Sequence, residues 1–126
     1  MRVMVISLLI IGFCLGLGLY SYEYLVTSTN QMLEQTSQLN RLIEAEDWPQ
    51  ATSQLNKIHH RWKKEQKIWS LLINHQEIDN VELTLARLQR YIQDRNKVES
   101  LVENSVLQHW IEHIPEKEAV SLSNIF

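Results

Sequence analysis

The amino-acid sequence predicts an all-α protein, in which an N-terminal transmembrane helix precedes a small antiparallel bundle of three to four helices. Glycine and proline are scarce, at three and two of 126 residues, whereas leucine, glutamate, glutamine and other good helix formers are common. An uncharged run occupies residues 3–22. Beyond it, apolar residues recur at steps of three and four, which is the spacing of one helix face.

The uncharged run, VMVISLLIIGFCLGLGLYSY, predicts a membrane anchor that we assign to residues 1–24. Twenty helical residues extend about 30 Å, the thickness of the hydrocarbon layer of a bilayer. Arg2 and the α-amino group precede the run, and tyrosines follow it at headgroup level. We therefore expect a single-pass protein of the cell membrane, with a cytoplasmic N-terminus and with residues 25–126 as an extracytoplasmic domain.

The same run has other interpretations. Gly16 and Gly18 fit the small residues of a signal-peptide cleavage site, although the run is longer than a usual signal sequence. Cys14, the one cysteine, is a weaker candidate for a lipoprotein attachment site, and it has no partner for a disulfide within the chain. Gly12 and Gly16 form a GxxxG pair, which would allow a homo-oligomer through close packing of two anchors.

The charge balance argues against a nucleic-acid partner. The chain has 12 Lys and Arg against 15 Asp and Glu. Subtracting Arg2 and Glu23 leaves 11 against 14 beyond residue 24, a net charge of −3. Such a domain has no general attraction to phosphate groups.

Two helices are predicted on either side of the sequence EAEDWPQ. The first continues from the anchor with an apolar stripe at Leu25, Met32, Leu39 and Leu42/Ile43. Asp47 is the expected N-cap of the second, with Pro49 in its first turn. The stripe of the second comprises Trp48, Ala51, Leu55, Ile58, Trp62, Trp69 and Leu72, with Glu65 as its one polar break. An antiparallel pair would place Glu34 level with Arg61 and Lys64.

Two further helices are expected after this pair. Asp79 is the predicted N-cap of the third, whose stripe comprises Ile78, Val81, Leu85, Leu88 and Ile92. The fourth should follow a break at QDRN, residues 93–96, and end at Pro115, because the residue before a proline disfavours helical geometry. Its expected stripe comprises Val98, Leu101/Val102, Ser105/Val106, Trp110 and Ile114. The last eleven residues are expected to pack back on the bundle.

The segment HWIEH, residues 109–113, matches the HxxEH pattern of inverted zinc proteases. The i, i+4 spacing places His109 and His113 on one helical face, so they are the candidates for a metal site. A catalytic zinc needs a third protein ligand, and only Glu116 and Glu118 follow, beyond a proline. We therefore interpret the histidines as structural, and expect neither a cofactor nor an enzymatic activity.

The second predicted helix carries the clearest candidate interaction surface. Basic residues cluster there, and the pattern is typical of a solvated helix face or of a surface for an acidic partner, an anionic lipid or a wall polymer. The cluster comprises Lys57, Arg61, Lys63, Lys64 and Lys67. The four tryptophans lie on or beside apolar stripes, and we interpret them as core residues.

Several segments carry a family resemblance: EDW at the start of the second helix, INHQEIDNVELTLARL in the middle and HIPEKEAVSLSNIF at the end. With the short apolar anchor, the chain resembles the domain of unknown function 4363 family over nearly its entire length. The resemblance implies a small membrane-anchored bacterial protein with no assigned activity or cofactor. It also implies hallmark surfaces at residues 75–88 and 113–126. If the second and fourth helices end near one another, two groups of side chains would meet there: His75, Glu77, Asp79 and Asn80 with Glu116 and Lys117.

The function that these observations favour is protein interaction at the bacterial cell envelope, by a membrane-anchored helical module that binds another envelope or membrane protein. Two alternatives stay open. One is a metal-binding protein or hydrolase that uses His109, Glu112 and His113. The other is an envelope sensor whose helical domain binds a ligand.

Overall fold

Four helices account for the secondary structure in the computed structural model, which describes residues 1–115 in full and residues 116–125 as the backbone of the last helix. Helices α1 and α3 each pack against both α2 and α4. No strand occurs in the part that the structure describes, so the all-α prediction is confirmed. The helices are α1 (Arg2–Glu44), α2 (Trp48–Leu72), α3 (His75–Gln93) and α4 (Lys97–Ile125).

Helix α1 is continuous over 43 residues and has two different halves. The large apolar side chains from Val3 to Leu19 are exposed, and by length and composition this part is sufficient to cross a membrane. The second half is amphipathic, and its buried face begins at Leu25. That face comprises Leu25, Ser28, Thr29, Met32, Thr36, Leu39 and Ile43, which confirms the predicted stripe.

Helix α2 begins where the sequence predicts. The side chain of Asp47 accepts a hydrogen bond from the backbone N–H of Gln50 at 3.3 Å, and Pro49 lies in the first turn. The turn before it contains Glu46 at φ 55°, a left-handed conformation that closes the end of α1. Trp62 and Trp69 are fully buried and meet edge to face, with ring centroids 5.4 Å apart. Trp48 and Trp110 are half-buried against the same core.

Helix α3 begins earlier than predicted, because its N-cap is Asn74 and not Asp79. The Asn74 side chain accepts a hydrogen bond from the backbone N–H of Gln76 at 3.0 Å, whereas Asp79 is exposed inside the helix. The earlier start extends helical geometry through Ile78, which then packs in the core. The five residues of the predicted α3 stripe are all buried, as expected.

Helix α4 buries a different face from the one that the sequence predicts. Val98 and Val102 are 68% and 50% exposed. Ser100, Asn104, Leu107 and Ile111 are buried instead, whereas Ile114 is buried as predicted and Leu101 and Trp110 are half-buried against the core. Asn104 explains how a polar side chain occupies the core, because its Nδ2 donates to the backbone carbonyl of Thr36 at 2.9 Å.

Proline 115 does not end α4, which continues to Ile125 with the proline inside it. Proline removes one backbone hydrogen bond and disfavours the residue before it, at a cost of about 3 kcal/mol. That residue, Ile114, is buried on the same face as Leu107 and Ile111, so core packing opposes the local preference. The predicted packing of the last eleven residues lies outside the residues whose side chains are described.

Candidate functional site: a polar groove between α1 and α2

Helices α1 and α2 form an open groove with a basic wall and an amide-rich wall. The groove has two adjoining parts of about 410 and 350 Å³, and Gln35, Lys57 and Arg61 line both. Steps of three and four place Lys57, Arg61 and Lys64 on one face of α2. On α1 the same spacing aligns the groove residues Gln31, Glu34, Gln35 and Gln38.

Arg61 is held in place inside the groove. Its guanidinium donates to the side-chain oxygen of Gln31 on α1 and lies 3.8 Å from the carboxylate of Glu65. Glu34 lines the same groove as Arg61, but the carboxylate that pairs with Arg61 belongs to Glu65. A planar donor held in this way presents its remaining N–H groups in a fixed direction.

Glu65, the polar break in the predicted stripe of α2, accepts a hydrogen bond from Tyr24. The Tyr24 hydroxyl lies 2.5 Å from Glu65 Oε2, and the Glu65 side chain is only 13% exposed. Tyr24, Glu65, Arg61 and Gln31 thus form a continuous polar chain from the start of the bundle into the groove.

Gln54 fixes the other end of the groove. Its side-chain nitrogen donates to the backbone carbonyl of Gln35 at 3.1 Å and to the side-chain oxygen of Gln38 at 3.3 Å. Lys57 and Lys64 are exposed beside these fixed groups. The site therefore combines ordered amides with two mobile ammonium groups, a combination suited to binding carboxylates and peptide groups.

The structure divides the predicted basic cluster between two grooves. Lys63 and Lys67 line a second groove of about 490 Å³ with His75 and Asp79, at the junction of α2 and α3. Of the other predicted residues on α3, Glu77 and Asn80 are half-buried, and the backbone carbonyl of Asn80 accepts from the Thr84 hydroxyl. The side chains of Glu116 and Lys117 lie outside the described residues.

The two histidines of HWIEH are neighbours on α4. Their ring centroids are 4.2 Å apart, and His113 Nδ1 lies 2.8 Å from the backbone carbonyl of His109. Within residues 1–115, no third His, Cys, Asp or Glu joins them to make a group of metal ligands. A catalytic zinc site commonly takes three protein ligands, and these residues supply two.

Sequence reasoning missed the hydrogen bonds that order the groove. One signal was available, because Glu65 occupies a core position of α2 and a buried carboxylate needs a partner. A second was the set of glutamines on α1 at helical spacing. Neither signal identifies Tyr24 or Gln31 as the partner, since both contacts join residues at least 30 positions apart.

Comparison with family models finds a match to a domain of unknown function, DUF4363, over residues 19–125. The chain belongs to the DUF4363 family. The matched range contains every residue of the polar groove and begins inside the exposed apolar part of α1, so the DUF4363 domain includes the junction between that part and the bundle. No curated protein and no solved structure matched this DUF4363 chain.

Proposed function

We propose that the protein is a single-pass membrane protein of the bacterial cell envelope, whose α1 holds an antiparallel helical bundle at the membrane surface for binding a partner protein. The observation that carries the proposal is the composition of α1. One unbroken helix contains an exposed apolar segment of membrane-spanning length and a second half that forms part of the bundle core. The bundle is therefore attached to the anchor without a flexible linker.

Contacts between α1 and α2 support the antiparallel arrangement. Tyr24 bonds Glu65, Gln31 bonds Arg61, and Gln38 bonds Gln54. The residue number on α2 falls as the number on α1 rises. Short connections at residues 45–47 and 73–74 favour the same arrangement.

Charge supports the orientation of the anchor. Arg2 lies before the exposed apolar segment, and the first basic residue after it is Arg41. Positive charge close to a membrane span stays in the cytoplasm. The bundle then faces outward, with the polar groove open on its side.

The groove favours a partner with an acidic, extended segment. Lys57 and Lys64 supply mobile positive charge, and Arg61 supplies a fixed planar donor beside the amides of α1. Glu34 and Glu65 also line the groove, so its three basic side chains against two carboxylates leave a net charge of +1, and the ammonium groups of Lys57 and Lys64 are exposed. Complementary charge of this kind determines partner choice and association rate more than affinity.

Photo-crosslinking in intact cells tests the proposal. A photoreactive amino acid placed at Lys57 of the full chain is expected to capture a reproducible protein partner, and one placed at Gln89, exposed on α3, is not. Charge reversal Lys64→Glu should weaken the capture, whereas Arg90→Glu makes the same charge change away from the groove and should not. Equal capture at both positions, or none at either, would refute a partner-binding groove. Protease accessibility in spheroplasts separately tests the orientation of the bundle.

A further inference from the structure

The end of α2 exposes apolar side chains beside the apolar part of α1. Leu71 is 84% exposed and Ile68 is 43% exposed, although both lie in the last two turns of a helix whose other large apolar residues are buried or half-buried. An open groove of about 310 Å³ separates this end of α2 from α1. Its lining is Tyr20, Ser21, Tyr24, Ile68, Leu71 and Leu72.

The position of this groove relative to the bilayer follows from the length of α1. The uncharged run ends at Tyr22, and twenty residues at about 1.5 Å each fill a hydrocarbon layer about 30 Å thick. Tyr20 then lies within about 3 Å of the boundary between hydrocarbon and headgroups. Because Leu71 and Tyr20 line one groove, Leu71 lies at the same boundary.

The charge distribution along α2 fits the same boundary. Lys63, Lys64 and Lys67 precede the apolar end, and all three are exposed. Lys67 is four residues from Leu71, which is about 6 Å along the axis, and the headgroup layer of one leaflet is about 5–7 Å deep. An ammonium group at Lys67 therefore reaches phosphate level when Leu71 touches the hydrocarbon.

We propose that the tip of α2, defined as residues 67–72, is a second membrane contact that binds the phospholipid surface on the side of the bundle. Leu71 and Ile68 enter the upper acyl region, with an acyl chain occupying the groove beside Tyr20, and Lys67 pairs with anionic phosphates. This inference rests on the proposed anchoring by α1. It goes beyond that function because it places the bundle against the bilayer at a defined edge.

Depth-dependent quenching in vesicles tests the proposal with the full chain. In a Cys14→Ala background, single cysteines Ile10→Cys, Leu71→Cys and Leu83→Cys carry a polarity-sensitive fluorophore. Nitroxide lipids place the quencher either near the headgroup or deep in the acyl chains. The label at 71 should be quenched by the shallow nitroxide, the label at 10 by the deep one, and the label at 83, on the exposed side of α3, by neither.

The outcomes separate the two proposals. A quenched label at 10 with an unquenched label at 71 would leave the anchor in place and overturn the second contact. An unquenched label at 10 would overturn the anchor and with it the inference. Circular dichroism of each labelled variant verifies that the helices are retained.

The lysine part of the contact has its own control. In vesicles of phosphatidylcholine with about a third phosphatidylglycerol, Lys67→Gln should lower the ratio of docked to undocked tip about five-fold, read from the label at 71. Lys57→Gln removes the same charge ten residues, or about 15 Å, farther from the tip, beyond the screening length of about 8–10 Å, and should leave the ratio unchanged. Equal effects of the two variants would exclude a specific role for Lys67.

Discussion

Replacing Leu107 and Val102 by alanine in turn tests which face of α4 is buried. Leu107 is fully buried, and truncation of a buried leucine costs about 2–5 kcal/mol. Val102 is 50% exposed. Full burial of two methyl groups stabilises by about 1.6 kcal/mol. Because Val102 is half exposed, removing them costs about half of that, and the higher helix propensity of alanine offsets about 0.5 kcal/mol. The expected net cost at Val102 is therefore about 0.3 kcal/mol.

Thermal unfolding of the full chain in detergent measures the difference. Tryptophan fluorescence reports the bundle, because Trp62 and Trp69 are buried in its core. For a domain of this size, 1 kcal/mol corresponds to about 4 °C in Tm. Leu107→Ala should lower Tm by about 8–20 °C and Val102→Ala by about 1 °C. A loss at Val102 equal to that at Leu107 would refute the packing of α4.

Three further predictions concern caps, turns and the polar chain. Asn74→Ala should lower the free energy of unfolding by about 1 kcal/mol in chemical denaturation, whereas Asp79→Ala should lower it by less than about 0.5 kcal/mol. A larger decrease for Asp79→Ala would contradict Asn74 as the N-cap of α3. Glu46→Gly should stabilise the chain by about 1 kcal/mol, because glycine adopts φ 55° without steric cost, and a fall in Tm would contradict this reasoning. Tyr24→Phe should cost about 1.5–3 kcal/mol, because it removes a hydrogen bond to the carboxylate of Glu65. An unchanged Tm would exclude a contribution of this bond to stability.

The sequence was sufficient for the apolar residues of a buried helix face where they keep the helical period. The five apolar residues of the α3 stripe were all identified because they keep the helical period, whereas the buried Thr84 on the same helix was not. In α4, Val98 and Val102 have the spacing of such a stripe, but both are exposed. The true core face includes Ser100 and Asn104, and Asn104 is accommodated by a carbonyl 68 positions away in the chain. A local pattern contains no information about that partner.

The candidate site was predictable in composition but not in arrangement. Lys63 and Lys64 are adjacent in sequence, so they lie about 100° apart around the helix axis and line different grooves. The hydrogen bonds inside the α1–α2 groove depend on which glutamine and which tyrosine of α1 lie opposite Arg61 and Glu65. That pairing is determined by the register of two helices, which side-chain periodicity alone does not specify.

The absence of a break in α1 between its exposed and its buried half has a mechanical consequence. From Tyr22 to Glu44 the helix rises about 33 Å, so with the proposed anchor in the bilayer it would act as a lever arm. A change in tilt of about 10°, well inside the usual range for membrane helices, swings the far end sideways by about 6 Å. In the proposed location at the cell surface, bilayer thickness, which governs such tilt, would then move the whole bundle toward or away from neighbouring proteins.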